Sequence, residues 1–359
     1  MKKVLFYIDM FDRTGAQRVM ANLSFLLVGK DVELILVNDY SIPKNEEIDL
    51  PDKARRIILD DNNYNKRKTS KNFYRIKKLR KILKCEKPDF ALSFLEGPNK
   101  KLLLASFGLK IKTIISIRCN PASVYKNKLS YFLVNILYSL SKHVVFQTKD
   151  ASMFFWKSIQ KKGIIINNSV NQLFFNTKYK GDSNNIVTLG RLEPEKNQKL
   201  LIDAFINIQD KIPDAELFIY GSGSLKEELM MYSSNRIHII ENISNVQNIL
   251  EQCRVFVLCS NTEGMPNALM EALAVGVPSV STDCPCGGPK MLIENGINGF
   301  LISCGDQGAL EDRILELFSN KELRKQITEA CKQKSMSFHP KKINEEWLSF
   351  FENISQESS

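Results

Sequence analysis

The chain has 359 residues, 43% of them hydrophobic, and a formal net charge of +10. This size supports two domains with full cores and excludes a small disulfide-held module. No apolar run approaches the roughly 18 residues of a spanning helix, and the apolar stretch after Lys2-Lys3 is too short for a signal peptide, so a cytoplasmic protein is expected.

The first half alternates strands and helices. A strand is expected over 3–8, a loop over 12–16 and a helix over 17–27. Further strands are expected near 33–37, 57–59, 90–94, 113–117, 143–146 and 164–166. This alternation predicts an α/β domain with a parallel, doubly wound sheet. Ligands of such sheets bind at the carboxyl ends of strands. Three of those ends are informative. Gly15 follows the first strand, where a missing Cβ lets backbone approach a phosphate. Asn99 closes Leu95-Glu96-Gly97-Pro98-Asn99, and Arg118 and Asn120 lie in Arg118-Cys119-Asn120-Pro121. For both asparagines, ordinary turn chemistry is the competing explanation.

Charge is unevenly divided. Residues 1–180 carry 34 Lys+Arg against 15 Asp+Glu, or +19; the remainder carries 16 against 25, or −9. The asymmetry points to an anionic surface or ligand facing the first half. It is densest from Lys66 to Lys87. There Phe73, Ile76, Leu79, Ile82 and Leu83 recur at helical spacing among Arg75, Lys77, Lys78, Arg80, Lys81 and Lys84. Such a helix either presents a solvated basic face or lies on anionic lipid. No recognition motif supports nucleic acid.

Asn167-Asn168-Ser169-Val170-Asn171 is expected to cross between domains, and 177–185 to form a linker or surface loop. A strand over 186–189 then leads into Gly190-Arg191-Leu192-Glu193-Pro194-Glu195-Lys196-Asn197 and a helix over 198–208. A second strand, 216–220, ends in Gly221-Ser222-Gly223-Ser224, and a third is expected over 236–240. The apolar run 255–258 reads as a buried strand ending in the loop Thr262-Glu263-Gly264-Met265-Pro266. Asn267 is placed as N-cap of a helix through Leu269, Glu271 and Ala274, stopped by Gly276-Val277-Pro278. Glu263 and Glu271, with seven residues between them, flank a helix N-terminus. Carboxylates accept hydrogen bonds from hydroxyls, and helix N-termini favour anions. Together they suit a sugar nucleotide; the alternative is a capped crossover with two solvated glutamates. A last helix is expected over 338–354, with Trp347, Phe350 and Phe351 on its apolar side.

Eight scattered cysteines fit a reducing compartment, and three well-separated histidines make a protein-built metal site unexpected.

Glu263-Gly264-Met265-Pro266 through Glu271-Ala272 resembles the E-x7-E motif of GT4 retaining glycosyltransferases, which have the GT-B fold. Gly190-Arg191 through Lys196 resembles their G-R-x-x-x-x-K motif. Gly15-Ala16 is similar to their N-terminal glycine loop, although the usual double glycine is absent. The resemblance implies two Rossmann-like domains facing across a cleft: residues 1–170 for the acceptor, 171–337 for the donor, and a 338–359 helix packing back on the first. It implies that Arg191 and Lys196 neutralise a departing diphosphate. Glu263 would then contact the transferred sugar, Glu271 the ribose, and Arg118 the cleft near that sugar. Gly15, Gly221, Gly223, Gly264, Met265, Pro266, Asn267 and Leu269 would line the donor, with Asn99 and Asn120 on the acceptor side. No metal or other cofactor is expected, since the cations and helix N-terminus take the metal's electrostatic role. The implied reaction moves a hexose or N-acetylhexosamine from a nucleoside diphosphate sugar, UDP in the first instance, to a lipid-linked saccharide in bacterial surface polysaccharide synthesis. The implied location is peripheral, with the basic domain on the anionic inner membrane face. A GT-B sugar-nucleotide epimerase and a non-catalytic sugar-nucleotide binder remain as alternatives. A dehydrogenase is disfavoured by the lack of G-x-G-x-x-G after a strand.

Overall fold

The computed structural model describes residues 2–12, 14–30, 32–60, 69–241 and 245–356. The chain divides into two compact units, Met1–Asn167 with Asn344–Ser359, and Asn168–Ile343.

The first unit holds a parallel sheet of β1 (Lys2–Ile8), β2 (Val32–Tyr40), β3 (Arg55–Asp60), β4 (Phe90–Phe94), β5 (Lys112–Ile117), β6 (His143–Phe146) and β7 (Gly163–Ile165). Their spatial order is β3-β2-β1-β4-β5-β6-β7. From Val4 to Ile8, β1 is buried without a break. Such continuous apolar runs belong to strands covered on both faces. β2 extends past its expected end at 37 because Asn38 and Asp39 enter the interior with partners. Asn38 Nδ2 donates to the Tyr40 carbonyl, and Asp39 accepts from Tyr7 OH at 2.7 Å. The first helix, Gly15–Val28, begins earlier than expected, so Gly15 is its first residue rather than part of a loop.

The basic helix, Thr69–Glu86, turns its apolar stripe inward from Ile76 to Leu83, while Phe73 stays exposed. Leu79 and Leu83 are fully buried in a cluster with Leu5, Ile35 and Ala91. Two of its cations are held by backbone: Lys78 Nζ donates to Leu59 O at 2.7 Å, and Arg80 Nη1 to Ala105 O at 2.8 Å. Of the two readings, the lipid-lying helix would need this stripe outside, and from Ile76 to Leu83 it is instead packed on the core. Lys66 to Lys68, at the start of the basic run, lie outside the described residues, as does Arg13.

The last helix, Pro340–Gln356, brings Trp347, Phe350 and Phe351 into the first unit's core. The Phe351 ring stacks on Phe90 at 5.1 Å, and Trp347 lies 6.0 Å from Phe94.

The second unit holds β8 (Asn185–Leu189), β9 (Glu216–Tyr220), β10 (Ile237–Ile240), β11 (Val255–Leu258), β12 (Ser279–Thr282) and β13 (Phe300–Ile302), in the parallel order β10-β9-β8-β11-β12-β13. The expected stretch 177–185 is a surface loop up to Asn184, bound along this unit: Lys180 N and Gly181 N both donate to Glu251 O, and Ser183 N to Gln252 O. Val170 and Phe174 already belong to its core.

Candidate active site

In the second sheet the chain runs outward from β8 through β9 to β10, then returns to β11 and runs outward the other way. The reversal lies between β8 and β11, the place where open α/β sheets bind ligands. The loops leaving those two strands are joined there by side chains and backbone.

The loop after β8 ends in a short 3-10 turn, Pro194–Lys196. Asn197 then adopts a left-handed conformation, φ 48°, which Asn tolerates better than most residues, and starts the helix Gln198–Ile208. This turn aims Lys196 at the loop after β11. Lys196 Nζ donates to Glu263 Oε1 at 2.5 Å, and Ser260 Oγ donates to the same oxygen at 2.6 Å. Glu263 is only 8% exposed. Its backbone is also fixed: Glu263 N donates to Pro285 O and Cys286 N to Glu263 O, each at 2.8 Å. Asn261 N donates to Glu195 O at 2.8 Å, which ties the two loops directly. A charge pair this enclosed is costly to break one partner at a time, because the survivor keeps its desolvation penalty.

Arg191 contrasts with Lys196. Its Nη2 donates to Glu195 Oε1 at 2.6 Å on an exposed surface. Exposed ion pairs contribute little, so Arg191 is available to an incoming anion.

The glycines after β9 permit close backbone packing. A Cβ on Gly221 would sit 1.8 Å from Gly190 O, and one on Gly223 would sit 2.3 Å from Leu192 O. Leu192 N donates to Ser222 O at 2.8 Å across this seam. Glu193 pins it further, accepting from Ser224 Oγ at 2.7 Å and Ser224 N at 3.0 Å. Those bonds, the hydroxyl first, hold the Glu193 carboxyl below the ordinary carboxylate range. Gly288 has a similar constraint: its Cβ would meet Gly264 O at 1.9 Å.

The helix Asn267–Val275 starts at the end of the β11 loop, with Pro266 at the N-cap. Asn267 is therefore its first helical residue and not its cap. Its side chain is used elsewhere, accepting from Asn168 Nδ2 at 2.7 Å. Met270 N donates to Pro266 O, so the amides of Asn267, Ala268 and Leu269 precede the first intrahelical bond. Met265 and Leu269 are buried behind them and secure the turn. Glu271 lies one turn in, partly buried, on the same side as Asn267.

Arg118, Asn99, Asn120 and Gly15 lie in the other unit. Arg118 Nε donates to Ser116 Oγ at 2.8 Å, and its guanidinium lies 4.2 Å from the Phe94 ring centre. Burial lowers its pKa to about 9. Asn99 is buried with its amide committed: Oδ1 accepts from Ser93 Oγ at 2.7 Å, and Nδ2 donates to Ser116 O at 2.9 Å. It joins β4 to β5, which is not turn chemistry. Asn120 caps a short helix, accepting from Ala122 N at 3.0 Å, as turn chemistry anticipates.

The structure thus brings together Arg191, Lys196, Gly221, Gly223 and the 263–271 segment within one unit. Sequence reasoning missed Ser260, Glu193, Glu195 and Gly288, which hold these residues in place; only the Gly287-Gly288 doublet carried a visible signal.

Residues 169–334 match the family model for group 1 glycosyl transferases. The second unit is a group 1 glycosyltransferase domain. Over 362 residues, covering 99% of both chains, the glycosyltransferase is 25% identical to the GalNAc-alpha-(1->4)-GalNAc-alpha-(1->3)-diNAcBac-PP-undecaprenol alpha-1,4-N-acetyl-D-galactosaminyltransferase of Campylobacter jejuni. It is also 25% identical to the amylovoran biosynthesis glycosyltransferase AmsD of Erwinia amylovora, over 97% of this chain and 99% of that one. Among solved structures, Anabaena HepE in complex with UDP and glucose superposes with a TM-score of 0.80 at 15% identity, covering 98% of this chain and all of that one. Sucrose-phosphate synthase from Thermosynechococcus elongatus gives 0.84 at 13% identity, over 99% of this chain and 100% of that one. These likenesses give the glycosyltransferase the GT-B fold. Among the described residues, no group of three or more His, Cys, Asp or Glu converges as metal ligands would.

Proposed function

We propose that the glycosyltransferase moves a hexose or N-acetylhexosamine from a UDP-sugar to a hydroxyl of a lipid-linked saccharide, with retention and without a metal, in bacterial surface polysaccharide synthesis. The observation that carries this reading is the Lys196–Glu263 pair at the sheet's reversal point. Lys196 and Ser260 both bond Glu263 Oε1, which leaves Oε2 for a sugar hydroxyl. The Lys196 ammonium keeps further donors for a diphosphate oxygen, and Arg191 adds a planar fork of donors. With the Asn267–Leu269 amides, these groups would stabilise the leaving diphosphate, the role a divalent cation takes elsewhere. Glu271 is assigned to the ribose hydroxyls.

The setting is supported by relatives whose names specify undecaprenol-linked substrates and α products. An α product from an α-linked UDP-sugar is retention, in which the leaving diphosphate helps to deprotonate the acceptor. In the described residues no helix is long and apolar enough to cross a membrane. We place the protein peripherally on the inner membrane face, its basic first unit towards anionic lipid.

The test is a panel of labelled UDP-sugars incubated with a polyprenyl-diphosphate-linked saccharide in EDTA, the product's anomeric configuration being read by NMR. An α-linked product in EDTA is expected. A new sugar nucleotide formed without acceptor would mark an epimerase, and a requirement for divalent cation would remove the metal-free account.

A further inference from the structure

The helix Lys128–Ser139 of the first unit turns its apolar residues outward. Leu129, Phe132, Leu133, Ile136 and Leu140, just past its end, are 66%, 51%, 54%, 44% and 47% exposed. Their spacing draws a single stripe along the helix. The inward side carries Val134, Asn135 and Tyr138. Asn135 Oδ1 accepts from Trp156 N at 2.7 Å, and the Phe132 ring meets Trp156 edge-on at 5.6 Å, so the Trp156-Lys157 segment lies beside the stripe. Asn127 caps the helix through Ser130 N at 2.8 Å, which fixes its start.

Contiguous exposed apolar surface of this kind marks an interaction site. The surrounding charge selects the partner. Residues 126–162 contain seven lysines and one acid, Asp150. Lys126, Lys128, Lys149, Lys157 and Lys161 are exposed. An apolar stripe edged by charge of one sign matches an anionic phospholipid bilayer, with acyl chains under the stripe and phosphates beside the lysines. The helix has 12 residues, about 18 Å at 1.5 Å per residue, against a hydrocarbon core of about 30 Å. It is suited to lie in the interface and not to cross it.

We propose that the Lys128–Ser139 helix docks in the plane of an anionic bilayer, a role the sequence left open for the basic helix Thr69–Glu86. The choice of occupant rests on the membrane setting proposed above. Bound this way, the first unit is held at the surface where a lipid-linked acceptor presents its saccharide.

The test uses the full chain with phosphatidylcholine vesicles, with and without phosphatidylglycerol. Wild type should co-sediment with the phosphatidylglycerol vesicles, and its tryptophan emission should shift to the blue. Of the two tryptophans, Trp347 is fully buried, so the shift reports Trp156. Changing Leu129, Leu133, Ile136 and Leu140 together to Ser should lower partition by about tenfold or more. Changing Lys126, Lys128 and Lys157 to Gln should lower it by roughly fivefold per lysine at low salt. Transfer to a short-chain, water-soluble acceptor should be unchanged in both variants. Equal partition of the serine variant and wild type, or binding without a blue shift, overturns the proposal. Concentration-dependent dimerisation of wild type, lost in the serine variant and unaccompanied by vesicle binding, would assign the stripe to a second copy instead. If wild type fails to transfer to the soluble acceptor, the transferase reading fails, whatever the vesicles show.

Discussion

At the reversal point of the first sheet, between β1 and β4, polar side chains are used up inside the protein; at that of the second, between β8 and β11, they are held in place with bonding capacity to spare. In the first unit Tyr7 OH donates to Asp39 Oδ1 at 2.7 Å while Lys101 pairs with Asp39 Oδ2. Burial, and then Asp39, pushes the Tyr7 hydroxyl pKa well up, and burial raises that of Asp9 against the pull of Lys101. In the second unit Lys196 and Ser260 converge on one oxygen of Glu263, and the neighbouring loops offer glycines and helix-terminal amides. One topology thus supports two uses of a buried pair. Where every partner is internal, the pair serves stability; where an oxygen and an ammonium face a loop cluster, we propose that it serves a ligand.

Breaking the internal pair should have the larger effect on stability. Lys101→Met leaves Asp39 buried without its cation and should cost about 3–5 kcal/mol in urea unfolding, with UDP affinity of the folded protein unchanged. A loss well under that range would mean the two pairs do not differ as described. Lys196→Ala should cost less stability, since Ser260 still bonds the Glu263 oxygen it leaves behind, but far more activity. Turnover should fall by roughly two to three orders of magnitude, about 2.7–4 kcal/mol, in a protein that still folds. Near-wild-type turnover would remove Lys196 from the site.

Two smaller changes sharpen the second half of the comparison. Gly221→Ala forces a Cβ against Gly190 O and should destabilise by about 1–3 kcal/mol, read as a lower Tm together with weaker UDP binding. Glu193→Gln should have the smallest effect, and it should depend on pH. Ser224 holds the Glu193 carboxyl below its unfolded value, so its contribution is present above the ordinary carboxylate pKa and fades as pH falls through the lowered one. The Tm difference between wild type and Glu193→Gln should therefore shrink in acid; a constant difference would show that the ionised carboxylate does not pin the loop.

Much of this was legible in the sequence. The strand at 255–258, the loop and the helix after it follow from an apolar run, Gly and Pro, and helical spacing. The contact between Lys196 and Glu263 did not, because the two are 67 residues apart. Only the strand order, with β11 beside β8, makes them neighbours. The two helices of the first unit show a second limit. Periodicity finds an apolar stripe but not the direction it faces. In Thr69–Glu86 the stripe enters the core from Ile76 to Leu83. In Lys128–Ser139 the buried side includes Asn135, whose Nδ2 reaches Tyr131 O at 2.9 Å and whose Oδ1 takes Trp156 N. With its amide satisfied by backbone, Asn135 can occupy the interior while Leu129 and Leu133 stay outside. Asn99 shows the same effect: a turn residue by type, it acts as a buried link between strands.

The central claim is that the loops at the β8–β11 reversal hold a nucleoside diphosphate sugar, with Glu271 on its ribose. Calorimetric titration of UDP into wild type and Glu271→Ala tests it most directly. The account predicts binding to wild type and about tenfold or weaker affinity in the variant, the loss of charge-assisted bonds to the ribose hydroxyls. Equal UDP affinity in the two proteins would contradict it.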